Sequence, residues 1–272
     1  MAAEAPRKAS SQILSDERNE ALDALNRSTA QLFFSGAAAG LEIGFSLFLM
    51  ATVHELCAGQ LPAPVVQLLM ANMYSFGFVL VVLGRSELFT EQTSLAVMPV
   101  ISGQASFTSL IRLWSVIFVA NVLGAGAFAC AAAFVGPALG TFDAETLGSI
   151  AHRMTDHPAI AIVCSGILAG WLMGLLSWVV AAGRDTISQI VIVWLVTAAI
   201  GLAQLHHVVL GSAEVLAGVF ANTDVTIADF GHFLLWTTVG NALGGPFFVA
   251  LLKSVHSSKD QSRQTQFSFR KG

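Results

Sequence analysis

The sequence predicts an all-α membrane protein: six transmembrane helices in two inverted three-helix repeats, with spans two and five broken. Three observations carry this. First, 55% of the residues are hydrophobic and only 11% charged, with a mean hydropathy of +0.71, whereas soluble domains carry about 25% charged residues. Second, apolar runs fall near residues 30–53, 65–100, 111–137, 159–183, 187–220 and 231–254, and about 20 such residues cross a bilayer core. Third, the second and fifth runs are too long for one straight crossing, and a polar stretch interrupts each.

Those two interruptions organise the rest of the chain. Run five contains Leu205-His206-His207-Val208-Val209-Leu210-Gly211-Ser212-Ala213-Glu214, and run two contains Gly84-Arg85-Ser86-Glu87-Leu88-Phe89-Thr90-Glu91. Ionisable residues at membrane depth mark a transport path or a proton relay. Glycine-interrupted apolar segments at matching places in two halves of a chain point to a binding site.

Three segments follow: a polar N-terminal tail over 1–28, a six-span domain over 29–255 and a polar C-terminal tail over 256–272. In the first, Ser15 before Asp16 and Glu17 reads as a helix start, with acids where the helix dipole favours them. Leu14, Ala21, Leu22 and Leu25 then share a face. The segment is either a solvated tail or a helix lying along the membrane surface. It lacks the short apolar core and small-residue cleavage site of a signal peptide.

Orientation comes from lysine and arginine. Arg7, Lys8, Arg18 and Arg27 precede span one; Lys253, Lys259, Arg263, Arg270 and Lys271 follow span six; Arg112 and Arg184 follow spans two and four. The alternate loops carry only Arg153 among their acids. Both termini are therefore expected in the cytoplasm, with the protein in a bacterial inner membrane. No basic surface suggests nucleic acid. Cys57, Cys130 and Cys164 form no metal spacing, so neither metal nor cofactor is expected.

An internal repeat links the halves. Gly36, Gly40 and Gly44 in span one match Gly166, Gly170 and Gly174 in span four; Asn121-x-x-Gly124 in span three matches Asn241-x-x-Gly244 in span six. The two interruptions align at nearly the same offset, placing Glu87 opposite His207. Three spans per half forces the halves to be inverted, with a site at their interface. Small residues four apart also let helices approach closely.

Ser86-Glu87-Leu88-Phe89-Thr90, Arg112-x-Trp114, Ala120-Asn121-x-x-Gly124, His207 and Gly240-Asn241-x-x-Gly244-Gly245 resemble the formate/nitrite transporter family across all six spans. The resemblance implies a homopentamer of aquaporin-like protomers, each with its own pore, in which small monocarboxylates or related anions pass two hydrophobic constrictions flanking a central histidine. It makes Leu88-Phe89-Thr90 the loop breaking span two and His207 the central histidine. The chain departs from the family where Gly211 and Gly170 replace asparagines, and where Met154, beside Arg153, replaces a basic residue. Glu42, Arg85, His206 and Glu214 are additional polar residues.

A pore for a weak acid must draw an anion into a dry constriction. Half-helix N-termini supply partial positive charge and backbone N–H groups, and Thr90 and Ser212 are expected near such ends. A histidine between constrictions can donate a hydrogen bond to the anion or protonate it; His207 takes this role, with Thr90 as partner. Phe89, Leu88 and Leu205 are candidate constriction residues. Glu87 is expected to tie its loop to backbone N–H groups, His206 to be structural, and Asn121 and Asn241 to join span to span. Glu42 and Glu214 either neutralise Arg85, sit in a wet vestibule or mediate subunit contacts. Alternatives are a neutral-solute channel of the same architecture, a non-transporting scaffold, and an intramembrane serine protease using Ser86 and His207, which lacks an evident oxyanion hole.

Overall fold

The computed structural model describes residues 7–269, with side chains as far as Val249. The described chain is helical throughout, with the helices joined by short connections. The helices are α1 (Ser10–Asn26), α2 (Thr29–Cys57), α3 (Ala63–Gly84), α4 (Phe89–Leu95), α5 (Val97–Ile101), α6 (Phe107–Leu139), α7 (Ala144–Thr155), α8 (Ala159–Ala182), α9 (Thr186–Leu202), α10 (Val208–Phe220) and α11 (Ile227–Phe269). Among the described residues, α2, α3, α6 and α8 are long and apolar enough to cross a membrane, and α9 and α10 are shorter apolar helices.

Local sequence explains the ends. Ser28 and Gln31 form a reciprocal capping box on α2, and Asp143 and Asp185 cap α7 and α9 with their side chains; each satisfies a first-turn N–H that has no partner within the helix. Arg85 and Gln204, both with positive φ, stop α3 and α9.

The helices repeat. α2 packs on α6 as α8 packs on α11, and α3 crosses α9 between the halves. The short helices after the breaks exchange: α4 packs against α8 and α11 of the second half, and α10 against α6 and α2 of the first. Glycine makes the close crossings possible. A Cβ on Gly40 would lie 2.7 Å from Ala125 N, and one on Gly170 would lie 3.0 Å from Asn241 Cα.

Three expectations are corrected, and the C-terminal segment is described further. α1 begins at Ser10, five residues before Ser15, and its buried face is Ile13, Glu17, Ala21, Ala24 and Leu25. The segment expected as a loop after span three contains α7, whose buried Leu147, Ile150, Ala151 and Met154 fall at helical spacing. The C-terminal segment continues α11 to Phe269; the last three residues of the expected tail lie outside the described residues, as do residues 1–6. Finally, the alignment of the two breaks shifts by one residue, because their hydrogen bonds to Asn121 and Asn241 set a different register.

Candidate functional site

Each break is held by an asparagine from the third long helix of its own half. Asn121 Oδ1 accepts from Phe89 N at 2.8 Å, and its Nδ2 donates to Glu87 O at 2.9 Å and Gly36 O at 2.8 Å. Asn241 Oδ1 accepts from Val208 N at 2.9 Å, and its Nδ2 donates to His206 O and Gly166 O, both at 2.9 Å. Glu87 therefore corresponds to His206, and Leu88 to His207. Leu88 and His207 are the N-cap residues of α4 and α10, with nearly the same backbone angles. The aligned pair is Leu88 and His207, not Glu87 and His207.

The two breaks meet through His207. Its Nε2 lies 2.7 Å from Thr90 Oγ1, and both side chains are fully buried. Leu210 N–H donates to His207 Nδ1 at 3.3 Å. A ring nitrogen that accepts carries no proton, so the neutral ring holds its proton on Nε2 and donates it to Thr90. The Thr90 hydroxyl then has its own proton to offer. The Phe78 ring meets the His207 ring edge-on at 4.9 Å, and Tyr74 stacks on Phe78 at 5.4 Å.

Other predicted residues have separate roles. Phe89 turns toward α6, edge-on to Phe118 at 5.1 Å and Trp114 at 6.2 Å; the aromatic ring against His207 is that of Phe78 instead. Leu88 is fully buried, and Leu205 lines a cavity with Arg153 and Glu214. Ser212 donates to Val208 O at 2.6 Å within its own helix, which leaves only lone pairs for a guest. The N–H groups of Val208 and Leu210 are likewise taken by Asn241 and His207, so at those positions α10 offers its dipole rather than free donors.

Glu87 does not bind backbone N–H groups as expected. Its Oε1 accepts from Arg27 Nη1 at 2.8 Å and its Oε2 from Gln92 Nε2 at 2.7 Å, while Ser35 Oγ receives its N–H at 3.0 Å. His206 is structural: Ser165 Oγ lies 2.9 Å from its Nδ1 and Met154 O lies 3.2 Å from its Nε2. Arg85 lines a separate cavity with α1 residues and Glu87, so Glu214 does not share a cavity with it. Glu42 sits against Gly84, where a Cβ would lie 3.7 Å from Glu42 Oε1.

The two glycine departures are matters of packing. Gly170 lies at the crossing with Asn241, and Gly211 lies under the buried ring of Phe233. Arg153 and Met154 both line the cavity; Arg153 donates to Gln67 Oε1 at 2.7 Å, while Met154 also packs with Val215 and Phe233. Tyr74 and Phe78 were missed from sequence, although with Met70 and Gly77 they share one face of α3 at helical spacing.

The formate/nitrite transporter family model matches residues 11–255. Inner membrane protein YfdC of Escherichia coli strain K12 is 32% identical over 244 residues, covering 88% of this chain and 76% of its own. Nitrite transporter NirC of Salmonella typhimurium strain LT2 is 29% identical over 218 residues, 80% of either chain. A solved structure of an FNT family ion channel superimposes with a TM-score of 0.79 at 24% identity, over 89% of this chain and 97% of that one. A pentameric formate channel with formate bound superimposes with a TM-score of 0.73 at 21% identity, over 84% and 97%. The chain belongs to the formate/nitrite transporter family, a family of transporters and channels and not of enzymes. His207 is engaged with Thr90, not Ser86, which also leaves the protease alternative without its base.

Proposed function

We propose that this protein carries small monovalent anions and their weak acids, of the formate and nitrite kind, across a bacterial inner membrane. The carrying observation is the buried Thr90–His207 pair at 2.7 Å, where two half-helices from opposite halves meet. Membership of the family, the relative named as a nitrite transporter and the fold shared with a formate channel support the substrate class. A relative named as an inner membrane protein supports the location.

In this reading the chain crosses six times with both termini cytoplasmic, and five copies assemble with one pore in each. A permeant oxygen takes a hydrogen bond from the Thr90 hydroxyl, which His207 orients through Nε2–H. An imidazolium would set Nδ1–H against the Leu210 N–H, so the geometry favours His207 as a donor held in one tautomer. Phe78 and Leu88 exclude water on either side of the pair, where the dipoles of α4 and α10 act in a low dielectric.

Formate-driven swelling and internal pH change in proteoliposomes, at two external pH values beside a glycerol control, tests this. Formate flux that rises as pH falls and drops in His207→Asn is the expected result. Glycerol flux without formate flux would establish a neutral-solute channel instead, and no flux of either would establish a scaffold.

A further inference from the structure

The last turn of α7 carries a charged knot that the transport reading leaves unused. His152 lies with its Nδ1 3.0 Å from Asp156 Oδ1 and its Nε2 2.9 Å from Asp224 Oδ1. Carboxylate oxygens only accept, so each ring nitrogen facing one carries a proton, and the ring is an imidazolium. Asp156 is the C-cap of α7, whereas Asp224 stands in the connection over 221–226 between α10 and α11. One ring therefore closes the last turn of α7 and fastens it to the far end of the half-helix that His207 caps. A cation there also answers the negative end of the helix dipole.

The knot sits at the edge of a close contact. A Cβ on Gly148 would lie 3.1 Å from Thr223 Cγ2, and one on Gly218 would lie 2.7 Å from Ala151 Cβ, so α7 rests directly on α10 and its connection. Thr223 is fixed in turn by donating to Gly218 O at 2.9 Å. The residues after His152 turn to another side. Arg153 donates to Gln67 Oε1 at 2.7 Å, and Met154 O lies 3.2 Å from His206 Nε2. Both side chains line the narrow cavity with Tyr74 and Leu205. Tyr74 stacks on Phe78, whose ring meets His207. The place of the last turn of α7 thus sets one wall of the cavity nearest the central pair.

We propose that His152 is a positioning residue of the transport pathway: its imidazolium latches α7 to the connection after α10 and so holds Arg153 and Met154 in place at the cavity. The inference rests on the transport reading above and adds to it a device on the periplasmic face. A neutral imidazole has one N–H and one lone pair, so it keeps one carboxylate and turns its lone pair on the other. The latch then opens on one side.

The charged groups around this ring belong to several elements. Asp156 and Arg153 come from α7, Asp224 from the connection, and Asp229 from α11 with His232 beside it. α10 contributes Glu214, which lies in the cavity with Arg153. α2 contributes His54 and Glu55, the latter accepting from Thr146 Oγ1 at 2.6 Å in the first turn of α7; the one charged residue of α6, Arg112, lies at its other end. The bonds to Asp156 and then Asp224 hold the His152 pKa above its usual 6.5, and the His152 bond draws the Asp224 carboxyl down. The latch is therefore complete below 6.5 and is lost as pH rises through the raised value.

Formate flux into proteoliposomes of the full-length protein, measured against formate concentration, tests this at about pH 6 and at about pH 9, on either side of the usual imidazole value. His152→Gln keeps a donor and cannot become a cation. At the lower pH its half-saturating formate concentration should exceed that of wild type about threefold, the size expected of exposed ion pairs, with maximal flux unchanged. At the higher pH the two proteins should coincide. Asp224→Asn, on an exposed connection, should behave in the same way and gives a second reading if the first variant does not fold. Hydrogen exchange of the last-turn amides of α7 should follow the same pattern, faster in the variants at the lower pH alone. A difference of equal size at both pH values would make His152 merely structural and overturns the proposal, as does no difference at the lower pH. Absent wild-type formate flux overturns the transport reading itself and leaves the exchange pattern to decide the latch.

Discussion

Asn121 and Asn241 make the same three hydrogen bonds in the two halves of the chain. Each accepts the first N–H of a half-helix and donates to two carbonyls, one in the break and one in the first helix of its half. Both are completely buried. The backbone of a break has no helical ladder to satisfy it, and in an apolar surround an unpaired polar group is expensive. One carboxamide supplies the turn with an acceptor and a donor and, with its second donor, ties it to the first helix of its half.

Asn241→Ala should therefore strand Val208 N–H and His206 O in the break and cut the tie to Gly166 O, a carbonyl inside α8 that keeps its helical partner. Each orphaned buried group costs about 1–3 kcal/mol, so thermal unfolding in detergent should shift down strongly, and Asn121→Ala should do the same. An unchanged midpoint in either would show that the breaks hold without their clamps.

The fold was legible because its signals are long-range in sequence and simple: apolar runs of bilayer length, and matched Gly and Asn positions in two halves. The breaks were legible from their charges. Their one-residue register was not, because Glu87 and His207 look equivalent by chemistry, and only the hydrogen bonds to Asn121 and Asn241 pair Leu88 with His207. The direction of Phe89 was equally hidden. Its position in a loop says nothing of which helix the ring faces, and α6 offers Trp114 and Phe118. Glu87 found Arg27 because α1 folds back over the break, and the polar sequence of that segment left its docking open.

Thr90 and His207 should act as one unit. Thr90→Val keeps the shape and removes the hydroxyl; His207→Asn removes the ring that orients it. Each is expected to lower formate flux by about ten- to a hundredfold, which corresponds to the about 1.5–3 kcal/mol of one hydrogen bond to a charged group. The double variant should be little worse than either single one, since residues in one network are not additive. Losses that multiply would separate the two roles.

Gly170→Asn would restore the asparagine common in the family and should still damage this protein. Its Cβ would press on Asn241 Cα at 3.0 Å, in a backbone crossing that cannot move without disturbing the second clamp. Overpacking of this kind costs about 1–3 kcal/mol. The expected outcome is a lower melting temperature together with weakened flux. A stable, active Gly170→Asn protein would mean that α8 and α11 have room to part.

Docking of α1 should depend on pH through Glu17. This side chain is buried on the inner face of α1, 3.5 Å from Ser177 Oγ. Burial first, and then the neighbouring Glu20, push its carboxyl up from 4.5 to about 8, with the Ser177 hydroxyl pulling weakly the other way. A raised carboxyl pKa means that the docked helix favours the protonated form. The contribution is therefore most favourable below the ordinary value of 4.5 and is lost progressively as pH rises toward 8. Arg112 donates to Leu25 O and Arg27 O and anchors the C-terminal end of the helix. Hydrogen exchange of the α1 amides should accordingly speed up between pH 5 and 8 near Glu17 and less near Arg27, beyond the intrinsic rise of exchange with pH. Glu17→Gln should remove the excess. An excess that survives in Glu17→Gln would assign the pH dependence to another group on this face.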